Sequence, residues 1–443
     1  MPHFAHTFGS VLEHSSSPRI LFVGEAVSLA HIGRPATLAR WTRDAGYDVH
    51  FACGNAFASV ARAEGFVPHE LLTIDAGLFY ARLNAGQFFY TAAELETYVR
   101  AELELFATLR PDAIVGDFRL SLAISAQRAG IPLVALNNAH WSPDAPCRFG
   151  APDVGLFRML PTEVRDGLFA LIRPLAFRTF AQPLNAVRRR FGMRPLNDFR
   201  QHYTAGDSCA YMDLPELYPA QAERENVRSF FVGPVIWKPR HARKLSAPEL
   251  GRNRPLAYVT MGSSGHARVL PNVLRALLNA DYDIALSGVN ATQAQTLYRQ
   301  LPDLGPRSIA APFFDPEEIL ERAAFTVCHG GSGTVYQSLA AGVPLLCLPG
   351  NPDQGLVAAA VVGRGAGLSI EPRAATVRAL SAAIGTLRHH AYRASAAEVA
   401  RAIARHDTCS QWIQFLNRFA PFTVETQPEL AAAHIQGERH DLA

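Results

Sequence analysis

Along this chain, short unbroken apolar runs alternate with longer stretches whose apolar residues recur every three to four positions. The runs include RILFVGEA from Arg19, DAIVGD ending at Asp117, PLVALNN ending at Asn138, RPLAYVTM from Arg254, FTVCH ending at His329 and LLCLP from Leu345. Each is short for a helix and has an unbroken apolar centre, so each predicts a strand buried on both faces, as in a parallel sheet. Between them, PATLARWTRDAG (35–46), AAELETYVRAELELFATLR (92–110) and RVLPNVLRALL (268–278) carry the helical period. Strand and helix in alternation predict an α/β fold with doubly wound parallel sheets.

One long interruption, KPRHARKLSAPELGRNRP (238–255), is charged, holds prolines and lacks periodicity. It divides the pattern into a first domain at 19–235, a linker at 236–253 and a second domain at 254–408. A leader at 1–18, a helix at 409–420 and a tail at 421–443 complete the expected organisation. A chain of 443 residues has room for two cores, and 49% hydrophobic with 18% charged residues excludes wholesale disorder. The net charge of +3 gives no reason to expect nucleic acid. No apolar run approaches the roughly 20 residues of a membrane span, and the first 18 residues lack the features of a secretory signal. The six scattered cysteines read as reduced core thiols, and the expected compartment is the cytoplasm.

The region from Phe157 to Phe191 is the least regular, rich in Phe, Leu and Arg, with helical stretches broken at prolines. A basic apolar helix suits a membrane surface or a lipid-like acceptor. The reading taken is that its apolar faces line an acceptor pocket.

The densest signal is CHGGSGTVYQSLAAGVPLLCLPGNPDQ, from Cys328 to Gln354. A strand ends at His329, then Gly330, Gly331, Ser332, Gly333 and Thr334 precede a helix closed by Gly342 and Pro344, and a second strand follows. Such a turn lets the backbone approach a bulky anion, with the free N–H groups of the first helical turn pointing at it. His329 stands beside that site, where a ring N–H could donate to a phosphate oxygen. A second strand-to-helix turn, Gly262-Ser263-Ser264-Gly265, begins the second domain.

The whole string resembles the signature of GT-B glycosyltransferases of the UDP-glycosyltransferase, macrolide type. The resemblance implies two Rossmann-like domains facing across a cleft and a nucleotide-diphosphate sugar, UDP- or dTDP-linked, as donor, without an obligatory metal or other cofactor. It implies that Gly262, Ser263, Ser264 and the loop from His329 to Thr334 hold the diphosphate, and that Asp353 and Gln354 hold sugar hydroxyls. Where the family usually has Glu on the ribose diol this chain has Gln337, and where it often has a Trp at the base this chain offers Phe313 and Phe314. The last helix would cross back onto the first domain.

The resemblance further implies a His after the first strand as general base, steadied by an Asp after a later strand. His31 and Asp117 match, and displacement at the anomeric carbon with inversion would follow. Here one extra residue separates His31 from Pro35, leaving Arg34, with Asn138 at the end of the PLVALNN strand and His140 just beyond it, as expected contacts of a small-molecule or lipid-like acceptor. The alternatives are a nucleotide-sugar 2-epimerase and a catalytically inactive nucleotide-sugar binder.

Overall fold

The computed structural model describes residues 15–151, 155–219, 228–240, 242–244, 253–262, 265, 267–421 and 423–424. Ser263 and Ser264, expected at the diphosphate, lie outside the described residues, as does most of the tail. Two parallel sheets carry the fold. The first holds β1 (Arg19–Gly24), β2 (Asp48–Cys53), β3 (His69–Glu70), β4 (Ala113–Asp117), β5 (Leu133–Asn137), β6 (Ser208–Tyr211) and β7 (Ser229–Phe231), in the order β3-β2-β1-β4-β5-β6-β7. The second holds β8 (Leu256–Thr260), β9 (Asp283–Ser287), β10 (Ser308–Ala311), β11 (Ala323–Cys328), β12 (Leu345–Cys347) and β13 (Gly367–Ser369), in the order β10-β9-β8-β11-β12-β13.

The apolar runs explain the layering. Ile20, Leu21, Phe22 and Val23 of β1 are all fully buried; Ile20 and Phe22 enter one core and Leu21 and Val23 the other, because successive side chains leave opposite faces of a strand. In both sheets the strand order reverses next to the first strand: between β1 and β4, and between β8 and β11. Ligands of open α/β sheets bind at the carboxyl ends of strands at such a reversal. Both signature turns, and both members of the expected base pair, stand at these two places.

Helix α1 spans Ala30–Asp44 and so starts five residues before Pro35, which the sequence marks as the opening residue. Proline lacks the N–H that would bond the His31 carbonyl four residues back. That carbonyl is turned instead toward Gly24, where a Cβ would lie 2.4 Å from it. Early initiation absorbs the extra residue before Pro35 as helix rather than as loop. Other helices that shape the site are α2 (Ala76–Asn84), α3 (Ala92–Leu109), α4 (Leu122–Ala129), α5 (Thr162–Phe180) and α6 (Gln182–Arg190). The second domain adds α7 (Leu270–Asn279), α8 (Ser332–Ala340) and α9 (Pro352–Gly363). The expected breaks at proline in the 157–191 region are corrected in part, because α5 runs through Pro174 without interruption.

The last helix, α10 (Thr408–Phe419), packs Trp412, Phe415 and Leu416 into the core beneath β1. Trp412 is fully buried and its Nε1 donates to Thr42 Oγ1 at 2.9 Å. Trp412→Ala should therefore cost about 3–5 kcal/mol in urea unfolding, the usual range for emptying an aromatic core site. A loss below about 1 kcal/mol, the scale of a typical surface change, would mean that α10 contributes little to the first domain.

Candidate active site

The first half of the site is built on β1 and β4. Gly24 and Asp117 are register partners at the ends of these strands, so the residues that follow them emerge side by side. His31, in the first turn of α1, places its Nδ1 2.8 Å from Asp117 Oδ1. Arg34, one turn later on the same helix face, donates from Nε to Asp117 Oδ2 at 3.1 Å and from Nη2 to Oδ1 at 3.0 Å. Its Nη1 donates to Asn138 Oδ1 at 2.9 Å. Phe118 adopts a left-handed conformation, φ 58°, unusual for a bulky residue, and lays its ring flat on the imidazole at 4.4 Å. The imidazole is thus held from below by a carboxylate and from the side by an aromatic ring.

Burial by itself raises the Asp117 carboxyl. The charges of Arg34 and His31 outweigh it and hold the group below the usual carboxylate range. An ionised Asp117 accepts from Nδ1–H, so the tautomer of His31 that this partner selects leaves the Nε2 lone pair for the cavity. The His31 side chain is 22% exposed and that of Asp117 1%, which separates a group open to a reactant from its support.

The second half is built on β8 and β11, whose last residues Thr260 and Cys328 are register partners. Gly262, at φ 57°, and Gly331 close over the ring of His329, where a Cβ on either glycine would come within 2.4 Å of a ring atom. No other residue fits these positions. His329 is buried, and its Nδ1 has no hydrogen-bond partner among the described residues. Burial pushes its pKa down to about 4, against the opposing charge of Asp353. A neutral ring remains, able to donate one N–H to an anion. Beyond it, α8 opens at Ser332, and a Cβ on Gly333 would meet nothing within 4 Å, so the first helical turn borders open space.

His31, Asp117, His329, Gly331, Thr334, Gln337 and Asp353 all line one cavity of about 880 Å3 between the two sheets. Its first-domain side is apolar, formed by Phe79, Phe89, Phe149, Phe177, Phe180 and Tyr203. Polar groups converge at one end and aromatic ones at the other, and the volume lies in the range of small-molecule sites.

Several of the expected residues are held by partners within the protein, and Arg34, Asn138, Phe314, Gln337, Asp353 and Gln354 line the cavity while so held. His140 does not reach the cavity: it is fully buried, with Nε2 2.9 Å from Asp353 Oδ1 and Nδ1 3.3 Å from the Tyr218 hydroxyl. Trp141 Nε1 donates to the same Asp353 oxygen at 2.7 Å, so the first domain grips Asp353. Partial desolvation raises that carboxyl, but the His140 and Trp141 hydrogen bonds win and hold it well below the usual carboxylate range. Arg34 is committed to Asp117 and Asn138 rather than offered to an acceptor. Asn138 borders the cavity while bridging Arg34 and Asp213. Gln354 is buried with its Oε1 accepting from Gly350 N–H at 2.8 Å, and Gln337 Nε2 donates to the Trp237 carbonyl at 2.9 Å. Phe314 belongs to the core of the second domain, leaving Phe313 as the exposed ring.

Three residues went unnoticed in the sequence. Trp237 lines the cavity edge-to-face with Phe313 at 6.3 Å, and packs so tightly on Gly33 that a Cβ there would lie 2.8 Å from its ring. A lone Trp entering a charged linker was the available signal. Asp213 and Tyr336 join the halves: Tyr336, on α8, donates to Asp213 Oδ1 at 2.8 Å, and Asp213 in turn accepts from Asn138 Nδ2 at 3.0 Å. An unbroken chain of hydrogen bonds thus runs from His31 through Asp117, Arg34, Asn138 and Asp213 to the helix of the glycine turn.

The two doubly wound sheets, with their paired strand ends facing one cavity, have the GT-B fold. Residues 272–416 match the family described as "Erythromycin biosynthesis protein CIII-like, C-terminal domain". The chain is 37% identical over 367 residues to a PGL/p-HBAD biosynthesis glycosyltransferase of Mycobacterium tuberculosis (strain ATCC 25177 / H37Ra), covering 83% of this chain and 84% of that one. It is also 37% identical over 389 residues to a PGL/p-HBAD biosynthesis rhamnosyltransferase of Mycobacterium bovis (strain BCG / Pasteur 1173P2), covering 87% and 84%. Among solved structures, the glycosyltransferase of kitacinnamycin superposes with a TM-score of 0.69 at 18% identity, over 91% of this chain and 99% of that one. The spinosyn rhamnosyltransferase SpnG, complexed with thymidine diphosphate, does so with a TM-score of 0.63 at 18% identity, over 90% and 100%. The chain belongs to the glycosyltransferase family of these mycobacterial PGL/p-HBAD biosynthesis proteins.

Two buried neutral histidines carry a pH prediction. His202, next to Tyr203 of the apolar side, has both ring nitrogens unpartnered among the described residues, and burial pushes it down to about 3. With His329 it refuses protons that the unfolded chain accepts below about pH 6.5. Stability is therefore full above that value and falls as pH drops toward 4, each group contributing up to about 1.4 kcal/mol per pH unit. Urea unfolding should lose about 3–4 kcal/mol between pH 7 and pH 5; an unchanged stability would contradict this account of the two rings.

Proposed function

We propose that the protein transfers a sugar from a nucleoside-diphosphate donor, UDP- or dTDP-linked, to a hydroxyl on an apolar, lipid-like or aromatic acceptor, with inversion. The observation that carries this reading is the sharing of one cavity by His31, at the reversal point of the first sheet, and His329, at that of the second. In this mechanism the acceptor hydroxyl gives its proton to His31 Nε2 as its oxygen bonds to the anomeric carbon. The bond from that carbon to the diphosphate oxygen breaks on the opposite side, and the electron pair leaves with the diphosphate. Asp117 stabilises the imidazolium that forms. Backbone N–H groups at the start of α8, with the ring N–H of His329, take up charge on the departing diphosphate, an effect strongest where the donors are fixed beforehand. His329 is fixed by the two glycines that enclose it.

Asp353 keeps a side chain 44% exposed although one oxygen is gripped by His140 and Trp141. In this reading it receives a sugar hydroxyl while tying sugar placement to domain closure. Gln337 and Trp237 stand at the nucleoside end, and an amide in place of a carboxylate lowers the premium on a ribose diol. That supports a deoxynucleoside donor first, as does the thymidine diphosphate bound by SpnG. The rhamnosyltransferase relative makes a deoxyhexose the first sugar to test.

The test incubates purified protein with dTDP-rhamnose or UDP-sugars and a panel of apolar alcohols and phenols, and reads the anomeric configuration of the product by NMR. An inverted glycoside is expected. Retention, or isomerised sugar nucleotide without any acceptor, would overturn the reading.

A further inference from the structure

Helix α5 has two faces, and the mechanism uses only one. Phe169, Ile172, Ala176, Phe177 and Phe180 line the cavity. The other face presents Val164, Leu168, Leu171 and Leu175 at successive helical turns, 55%, 44%, 79% and 69% exposed, with Met159 just before them at 82%. Five of the eleven exposed large apolar side chains among the described residues are gathered here, and a contiguous stripe of this kind marks an interaction site rather than ordinary surface.

Charge selects the occupant. From Gly167 to Asn197 the sequence holds six arginines and no acidic residue. Arg178 is exposed and follows Leu175 by one turn on the same face; Arg189 is exposed on α6, and Arg148 is exposed in the segment that Arg173 ties to α5 by bonding the Cys147 carbonyl. The acids of α5, Glu163 and Asp166, stay in its first turns. A second copy of this chain meeting the first across a two-fold axis would set arginine against arginine, whereas an anionic lipid surface complements both the stripe and its cationic border.

We propose that the outer face of α5 docks the protein onto an anionic lipid surface. One helix, about 10–12 Å across, then separates lipid from the apolar side of the cavity. An amphiphilic acceptor could pass around Ile172, which is 39% exposed and also lines the cavity. That last step rests on the proposed transfer reaction; the docking does not.

Cosedimentation of the full chain with phosphatidylcholine vesicles, with and without phosphatidylglycerol, tests it. Binding to the anionic vesicles is expected to exceed binding to neutral ones at least about tenfold, from two or more arginines at the surface, and to weaken as salt rises. Leu171→Asp combined with Leu175→Asp should abolish it. These side chains are exposed and do not line the cavity, so circular dichroism and transfer to a water-soluble acceptor should stay as in the parent protein. No vesicle binding, binding unaltered in the variant, or a dimer in light scattering that the variant dissociates without any vesicle binding would each overturn the proposal. Vesicle binding without sugar transfer would leave the docking standing and count against the transfer reading alone.

Discussion

Replacing His31 by alanine is expected to lower kcat/KM for sugar transfer by about 10²–10⁴-fold, the usual worth of a positioned general base. Donor affinity should stay as in the parent protein, because the imidazole sits across the cavity from the glycine turn at His329. The measurement is a pair: steady-state transfer to an apolar phenol, and titration calorimetry with thymidine diphosphate. If transfer survived, the base would have to be another group. If donor binding collapsed together with transfer, His31 would be a donor ligand and not a base. The same calorimetry on His329→Ala should show weakened binding, since the diphosphate loses a donor held in place by Gly262 and Gly331.

Asp117→Ala should cost both activity and stability, the second effect by about 3–5 kcal/mol. Arg34 is buried, and with the carboxylate gone it keeps its bond to Asn138 and a long 3.4 Å contact with His31 Nδ1, neither of which balances its charge, so an uncompensated charge remains inside the protein. Asp117→Asn separates the two effects. The amide oxygen can still accept from Arg34 Nε and return part of the stability, although the guanidinium charge stays uncompensated, whereas the amide N–H₂ aimed at His31 Nδ1 would select the wrong tautomer and leave transfer low. Urea unfolding and kcat measured on both variants give the result; an Asn variant with parental kcat would remove Asp117 from the mechanism. The stabilisation has a defined pH range. Because the folded carboxyl lies below its usual value of about 3.9, its contribution is complete above that pH and disappears only as pH falls through the lower, folded value.

Much of the fold was legible because its signals are local. An unbroken apolar run such as ILFV in β1 can be satisfied only by burial on both faces, and the glycines around His329 mark a turn whatever lies beyond it. The start of α1 was less legible. Pro35 usually opens a helix, but the bonds of His31 and Arg34 to Asp117, 86 and 83 residues away, reward an earlier start that no local pattern reveals. The burial of His140 behind the cavity was hidden for the same reason: its partner Asp353 lies 213 residues later, in the other domain. The hydrogen-bond chain through Asp213 to Tyr336 spans 123 residues, and nothing in either neighbourhood announces it. Residue types marked the strand ends that border the cavity; which side chain faces it and which stands behind it was decided by pairings between distant segments.

A crystal structure with thymidine diphosphate and an apolar acceptor bound measures the main claim most directly. The account predicts diphosphate oxygens within about 3 Å of the N–H groups that open α8 and of the His329 ring, with the acceptor hydroxyl at hydrogen-bond distance from His31 Nε2. A diphosphate lodged away from the glycine turn, or an acceptor hydroxyl turned from His31 with the domains closed, would contradict it.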